Sequence, residues 1–434
     1  MATIRRFEPS DGYPKLFQSL EGELRGAATL RREKFARFTE LGFPNQRVED
    51  WKYTGLSALA KLQPTRPAQV PVAYDAVEPY FLSDDDALRL VFVNGHLVSS
   101  LSATEHRIEG LSIRSLPDMV PEDQDILVDN DRERSLTALN AALAHGGAVI
   151  KLAAGVNVEP VIQLLFVSTG GPSAIASPRN HFELGDGASL KLAETHVALD
   201  GAGVTNLVNR CRLGDRADLI HDRLQLGAES STLIGKTYVN IGVSARLRQT
   251  LATFGGALVR NETLGRIDGA EAELTLNGVY SPTGNEHVDN QIRIEHRAPN
   301  CESNQFYKGI MMGRSHAVFA GKILVEQAAQ KTDAYQQNNN LLLSRDAEID
   351  TKPELEIYAD DVKCSHGATA SDLDADGLFY LRSRGIDEPT ARSLLTYAYA
   401  SEVLERFDNE DVKHQARRAL FNILPGGDRL MELV

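Results

Sequence analysis

A chain of 434 residues with 42% hydrophobic and 24% charged side chains is long enough for two or three folded regions, and it lies outside the disordered, collagen-like and disulfide-rich classes. Its formal charge of -14 excludes a sequence-independent grip on nucleic acid or on an anionic membrane, because binding phosphates needs a local excess of Lys and Arg. The three cysteines, Cys211, Cys301 and Cys364, are far apart with no CxxC pair, which excludes a disulfide framework and a self-contained cluster of the ferredoxin type, built on about four thiolates.

Met1 to Pro9 carries two arginines with no apolar run behind them, so neither a signal peptide nor a spanning helix is expected and the chain is placed in the cytoplasm. From Gly12 to about Leu41, the spacing of Leu16, Leu20, Leu24, Leu30, Phe35 and Phe38 predicts a helix, stopped by Gly42-Phe43-Pro44. A second helical piece is expected around Thr54 to Lys61, and Pro64, Pro67 and Pro71 mark a linker. Residues 1 to about 90 therefore read as a small helical region.

The middle of the chain, about 91 to 368, changes character. Short apolar stretches at Leu90 to Val93, Val161 to Val167, Leu190 to Ala193 and Ile323 to Val325 are separated by Gly, Asp and Asn, the signature of strands. An acidic or glycine turn followed by Ala recurs at Gly185 to Leu190, Gly214 to Leu219, Asp268 to Ala272 and Arg345 to Ile349. The spacing suits stacked coils of about 25 to 30 residues, although a β-sandwich satisfies the same pattern. After about Ala370 helices return. Asp387-Glu388-Pro389 is a capped helix start, followed by a stripe of Leu394, Leu395, Ala398, Val403, Leu404 and Phe407. A further helix is expected from about Asp411 to Leu424, ended by Pro425-Gly426-Gly427, and residues 369 to 434 read as a separate helical module.

Several familiar motifs fail on inspection. Asp372 to Gly377 opens like a calcium loop, but Ser383 stands where a bidentate Glu is required, so a capped turn is the better reading. No GxxxxGK[ST], Gly-x-Ser-x-Gly or HExxH occurs, and Gly185-Asp186-Gly187 is too short for a dinucleotide fingerprint. The chemically interesting segment is Val362 to Gly367. In an extended strand, side chains two apart share a face, which sets Cys364 beside His366. A thiolate and a neutral imidazole suit iron, zinc or copper, and Gly367 leaves room for a partner's backbone. The alternative is a half-buried Cys with a hydrogen-bonded His. Two donors also make an incomplete site, so any metal or cluster here has to be shared across an interface. Asn285 to Asp289 and Glu295 to Ser303 concentrate His and acidic residues, which fits metal binding or, more simply, an outward polar ladder between strands.

Arg47-Val48-Glu49-Asp50-Trp51-Lys52-Tyr53-Thr54 resembles the N-terminal signature of the SufB/SufD family of iron–sulfur cluster assembly scaffolds. Glu295-His296, Pro299, Ser303 and Tyr307-Lys308-Gly309 resemble its core pattern. Tyr335 to Leu343, Lys352 to Ile357, Cys364 to Thr369 and Leu378 to Ile386 continue the likeness in order. The resemblance runs from about residue 47 to the C-terminus. Asn338 to Leu343 stands where SufB has a cysteine, and Gly367 where SufB has an acidic residue, so the likeness is to the SufD branch.

The resemblance implies a right-handed parallel β-helix between two helical regions, and a scaffold rather than an enzyme. It implies a transient iron–sulfur cluster shared with SufB at an interface, with His366 and Cys364 as this chain's ligands and the key thiolate and carboxylate supplied by SufB. SufC, the ATPase, would dock on the C-terminal helices, with a flavin on the complex and a homodimer as further expectations. A purely structural subunit and, from a different class, a carbohydrate-active β-helix enzyme are the competing readings.

Overall fold

The computed structural model describes residues 6–84, 86–104, 107–129, 134–201, 203–427 and 431. Met1 to Arg5, at the start of the segment read as lacking a leader, lie outside them, as do most of the last residues of the C-terminal region.

The strands stack as a parallel β-helix, not a sandwich. Ser189 pairs with Asp218, Asp218 with Arg246, Arg246 with Glu273, Glu273 with Glu302, Glu302 with Asp333 and Asp333 with Lys363, all in parallel register. One coil thus takes about 29 residues, a normal length for a stacked repeat. Alternate strands fall into two sheets facing each other. The first runs from Leu88–Val93 through Ile162–Ser168 and Ser189–Ala198 to Asp333–Leu342 and finally Lys363–Ser371. The second runs from Ala148–Leu152 through Arg179–Leu184 and Val204–Leu213 to His316–Val325 and finally Glu348–Ile357.

One corner of the coil sets the register. Gly187, Arg216, Ser244, Glu271, Asn300 and Lys331 all have positive φ. The first five donate their N–H groups to the carbonyls of Asp215, Val243, Ala270, Pro299 and Gln330 on the following coil, at 2.7 to 3.2 Å. A left-handed residue other than glycine costs about 1 kcal/mol or more, and these inter-coil bonds offset it. The next residue is small and buried each time: Ala188, Ala217, Ala245, Ala272 and Cys301. This explains the alanine after each turn in the sequence. Three members of the series, at Ser244, Asn300 and Lys331, lie outside the turns picked out in the sequence: the first has glycine but no acidic residue, and the other two are followed by Cys301 and Thr332 rather than Ala. Arg345 to Ile349 belongs to the opposite corner, between Asp333–Leu342 and Glu348–Ile357.

Between the sheets, the interior is apolar on the side of that corner, with Leu190, Leu219, Leu247, Leu274, Ile241 and Ile267 buried together. Further along each strand it becomes polar. Glu194 is fully buried and accepts from Asn209 at 2.7 Å, His221 at 3.1 Å and Arg223 at 3.1 Å, with His196 Nε2 at 2.7 Å. Burial alone would raise its carboxyl, but Arg223 and the two imidazoles outweigh that and hold it well below the usual carboxylate range.

Helices cover both outward faces. On the second sheet, Leu16, Phe17, Phe38, Trp51 and Leu56 pack with the helix Ser135–Leu143 against Ile175 and Ile234. On the first sheet, Val403, Leu404, Phe407, Val412, Leu420 and Phe421 pack on Ala193, Leu224, Ala252, Phe254, Phe306 and Ile310. The C-terminal helices Glu388–Leu404 and Glu410–Ile423 therefore do not form a separate module; they share a core with the solenoid. Asp222, buried in the first sheet, accepts from the N–H groups of Asp408 and Asn409 at 2.9 and 2.7 Å and fixes the turn between them.

Two helical expectations also change. The helix read from Gly12 to Leu41 is two, Gly12–Leu20 and Ala28–Leu41, because Gly26 and Ala27 turn the chain with φ of 66° and 55°. Ala398, expected in the buried stripe, is exposed, while Ala391, Thr396 and Ala400 take the inward positions. Asp374 and Asp387 do cap the helices that follow them.

If the buried alanine after each turn holds the coils in stack, Ala245→Leu overfills it and should lower unfolding free energy by about 1–3 kcal/mol. Arg216→Gly, at the left-handed corner position that Ser244 fills one coil later, should change it by less than about 1 kcal/mol. Urea unfolding followed by far-UV circular dichroism distinguishes them; equal effects would mean the small residue is incidental.

Candidate functional site

The candidate donors lie on the last strand of the first sheet. Lys363–Ser371 pairs on one side with Asp333–Leu342, matching Cys364 to Ala334 and His366 to Gln336. On its other side no strand pairs with it among the described residues, and the same holds for Glu348–Ile357 in the second sheet. Cys364 and His366 are two residues apart in an extended strand and so share the face turned toward the second sheet, about 6.5–7 Å apart along the strand.

Their surroundings differ. Cys364 is half-buried and packs with Ile323, Val325, Ala334, Leu355 and Ala359. Burial and then the charge of Asp333 push its thiol above the ordinary value, partly countered by a bond from the Ala334 backbone. His366 is exposed at the open end of the solenoid. A Cβ at Gly367 would meet nothing, so no packing within this chain demands glycine there. The pair is one accessible imidazole beside one thiol kept mainly protonated.

The coil beneath them is a stack of amides. Gln336 donates to Gln305 Oε1 at 2.7 Å, and the Gln336 Oε1, buried at the rung next to His366, has no partner among the described residues. Gly321 in the facing strand makes room for this amide, since a Cβ there would stand 2.0 Å from Gln336 Nε2. Asn340 donates to Asn338 at 2.6 Å and to the Thr369 carbonyl at 3.1 Å, while Tyr280 donates to Asn340 at 2.8 Å. Asn340 thus staples the terminal strand to the coil below, with Asn339 accepting from the Thr369 hydroxyl at 3.0 Å on the other face. The signal for this in sequence is the inward alternation Gln336, Asn338, Asn340, visible only once the run is known to be a strand.

The other segments rich in His and acid are ladders. Glu295 is an outward hub for Arg266, Arg293 and Arg297. His296 points inward with Nε2 at 2.8 Å from Ser303 Oγ, and burial lowers its pKa to about 4. Cys211 is fully buried and its thiol pushed up to about 12; Cys301 is buried against the Gly269 and Pro299 carbonyls. Neither is brought near Cys364 by the core clusters.

The segment Glu49 to Thr54 clamps the N-terminal region to the second sheet. The buried Arg260 guanidinium lies 3.7 Å from the Trp51 ring, donates to the Asp50 carbonyl at 2.8 Å and pairs with Glu262 at 2.6 Å and with Asp289. Thr54 donates to Asp289 and lies 2.9 Å from His287 Nε2, and Lys352 on the terminal coil reaches Glu49 at 2.6 Å.

Comparison with known proteins places both segments inside recognised regions. The SufBD core domain of the SUF system for FeS cluster assembly matches residues 166–399, which include Cys364 and His366. The N-terminal region of SufBD proteins matches residues 12–164, which include Glu49 to Thr54. The chain belongs to the SufBD family of iron–sulfur cluster assembly proteins. It is 34% identical to the iron–sulfur cluster assembly protein SufD of Escherichia coli over 395 residues, covering 89% of this chain and 91% of that one. An iron–sulfur cluster assembly SufBD family protein of Synechocystis is 32% identical, covering 88% and 87%. The chloroplastic protein ABCI7 of Arabidopsis thaliana is 34% identical over 66% of this chain and 62% of its own length. No described helix is long and apolar enough to cross a membrane.

A thiol raised by burial and by Asp333 should react slowly at neutral pH. The rate of alkylation of Cys364 by iodoacetamide should keep rising beyond the range of a free cysteine, and Asp333→Asn should move that titration to lower pH. Peptide mapping of the alkylated chain over a pH series measures both; a Cys364 titration at or below the ordinary thiol value would show that this SufBD strand activates its cysteine.

Proposed function

We propose that this chain is a SufD-type, non-enzymatic scaffold subunit whose terminal coil is completed by SufB. At that junction a nascent iron–sulfur cluster, or the iron destined for it, is bound by His366, with Cys364 as a weaker second donor. The observation that supports this reading most is the coincidence of both donors with an unpaired strand edge. A row of free backbone groups is a template for another strand, and a site limited to two donors needs ligands from whatever adds there. The open space at Gly367 and the exposed His366 ring suit close approach of a partner backbone.

The neighbouring surface supports an interface. Tyr358 is 59% exposed, and on the helix Ala375–Ser383, which follows the terminal strand, Phe379 is 75% and Tyr380 57% exposed. Phe379 and Tyr380 are adjacent in the chain, and exposed aromatic side chains that cluster suit a contact surface. SufC docks on the C-terminal helical region in this reading and supplies the ATP hydrolysis, in the cytoplasm. Without SufB, the same edge can pair with a second copy of the chain.

A purely structural role for Cys364 has its own support, since its thiol sits in an apolar cluster and is held protonated. The carbohydrate-active reading has none: helices cover the outward faces over the middle coils, where a groove would run.

The test is complementation of a cluster-dependent enzyme in cells lacking this gene. His366→Ala should reduce that activity by about tenfold or more, as loss of a metal ligand typically does, with the complex intact by gel filtration. Cys364→Ala should be milder. Full activity of His366→Ala in an intact complex would leave the chain a structural subunit.

A further inference from the structure

A second group of donors lies on the outward face of the other sheet and takes no part in the proposed cluster site. His316 pairs directly with Glu348 across the last two strands, and Asp350, two residues on, returns to the same face. One donor atom from each of the three residues lies within 4.8 Å of the others, and His316 Nε2 is 2.8 Å from Asp350 Oδ2. The His287 ring, one rung back, packs edge-on against His316 with centroids 4.7 Å apart and is itself tied to Thr54. His316 is thereby held in orientation from behind.

Accessibility and charge fit an ion. The side chains of His316 and Asp350 are 26% and 25% exposed, so the group is sheltered on one side and open to water on the other. The Glu348 carboxylate, exposed, has no hydrogen bond or ion pair among the described residues. We propose that His316, Glu348 and Asp350 bind one divalent first-row transition cation of the Zn2+, Fe2+ or Mn2+ kind. One imidazole and two carboxylates balance a dication and leave positions for water, while the absence of sulfur from the set disfavours soft ions such as Cu+. Bonds of about 2.0–2.2 Å place donors near 3 Å apart, a spacing His316 and Asp350 already hold. Glu348 has the freedom to swing in. Two of the three ligands are on the unpaired edge strand and one on the strand before it, so the ion cross-links the final rung of the second sheet. It does so independently of any role for Cys364 and His366.

The experiment uses the full chain carrying Cys364→Ser and His366→Ala, so that the cluster site cannot compete. Calorimetric titration with Zn2+ should give one site per chain, and Co2+ should give visible d–d bands without thiolate charge-transfer absorption. His316→Ala combined with Glu348→Gln should weaken Zn2+ binding by about tenfold or more, and should abolish the rise in melting temperature that Zn2+ gives the parent. Melting of both proteins in chelator, at the same temperature, shows that the variant folds. Unchanged affinity in the variant, a thiolate band with Co2+, or no binding by the parent would each overturn the site; loss of folding is checked by Glu348→Gln alone, which must still weaken binding.

Discussion

Backbone hydrogen bonding between coils is the constraint on which this structure depends. Each strand from Ser189 to Leu342 has a parallel neighbour on both sides, so its peptide groups are satisfied without water. The left-handed corner residues add one further bond per coil. A stack of this kind has two ends, and they are treated differently. At the start, antiparallel pieces close the sheets: Phe92 to Leu97 on the first and Leu111–Ser115 on the second. At the finish, no strand among the described residues pairs with the outer edge of Glu348–Ile357 or Lys363–Ser371, which leaves a row of backbone donors and acceptors there. An exposed edge of this length is an aggregation hazard unless something covers it. The proposed site at His366 and Cys364 stands on that edge, and the proposed scaffold role rests on the end of the stack rather than on a pocket within it.

The helical regions do what the coils cannot. A two-sheet solenoid leaves an outward face on each sheet, and each is apolar enough here to need cover. Arg260 shows how the N-terminal clamp is held: a fully buried guanidinium with Glu262 and Asp289 beside it and Trp51 stacked above. Removing one member of such a group leaves an uncompensated buried charge and typically costs about 3–5 kcal/mol, more than replacing the whole set would. The C-terminal helices are bound to the first sheet by apolar contact and by Asp222, so they move with its middle strands, two positions short of the terminal strand Lys363–Ser371.

Much of this was legible in the chain itself, for identifiable reasons. Short apolar runs and the alanine after each turn point to stacked strands because both are local. The coil register is harder, since its positive-φ position is filled by Arg216, Ser244, Glu271, Asn300 and Lys331, which share a backbone conformation and no chemistry. The helix break at Gly26 was hidden by a continuous leucine stripe. The placement of Cys364 and His366 on one strand face follows from alternation; that this strand is the last of its sheet does not. The segment around Trp51 was recognisable only by resemblance, because Asp50 and Arg260 are 210 residues apart and their contact leaves no local mark.

Amide hydrogen exchange on the terminal coil tests the central claim most directly. In the isolated chain, the outward-facing amides of Glu348–Ile357 and Lys363–Ser371 should exchange fast, while those of Asp333–Leu342 are protected. Binding of SufB should bring slow exchange to those same edge amides. A stable complex with SufB that leaves exchange along residues 348–371 unchanged would contradict the account, and would place the partner, and any shared cluster, elsewhere.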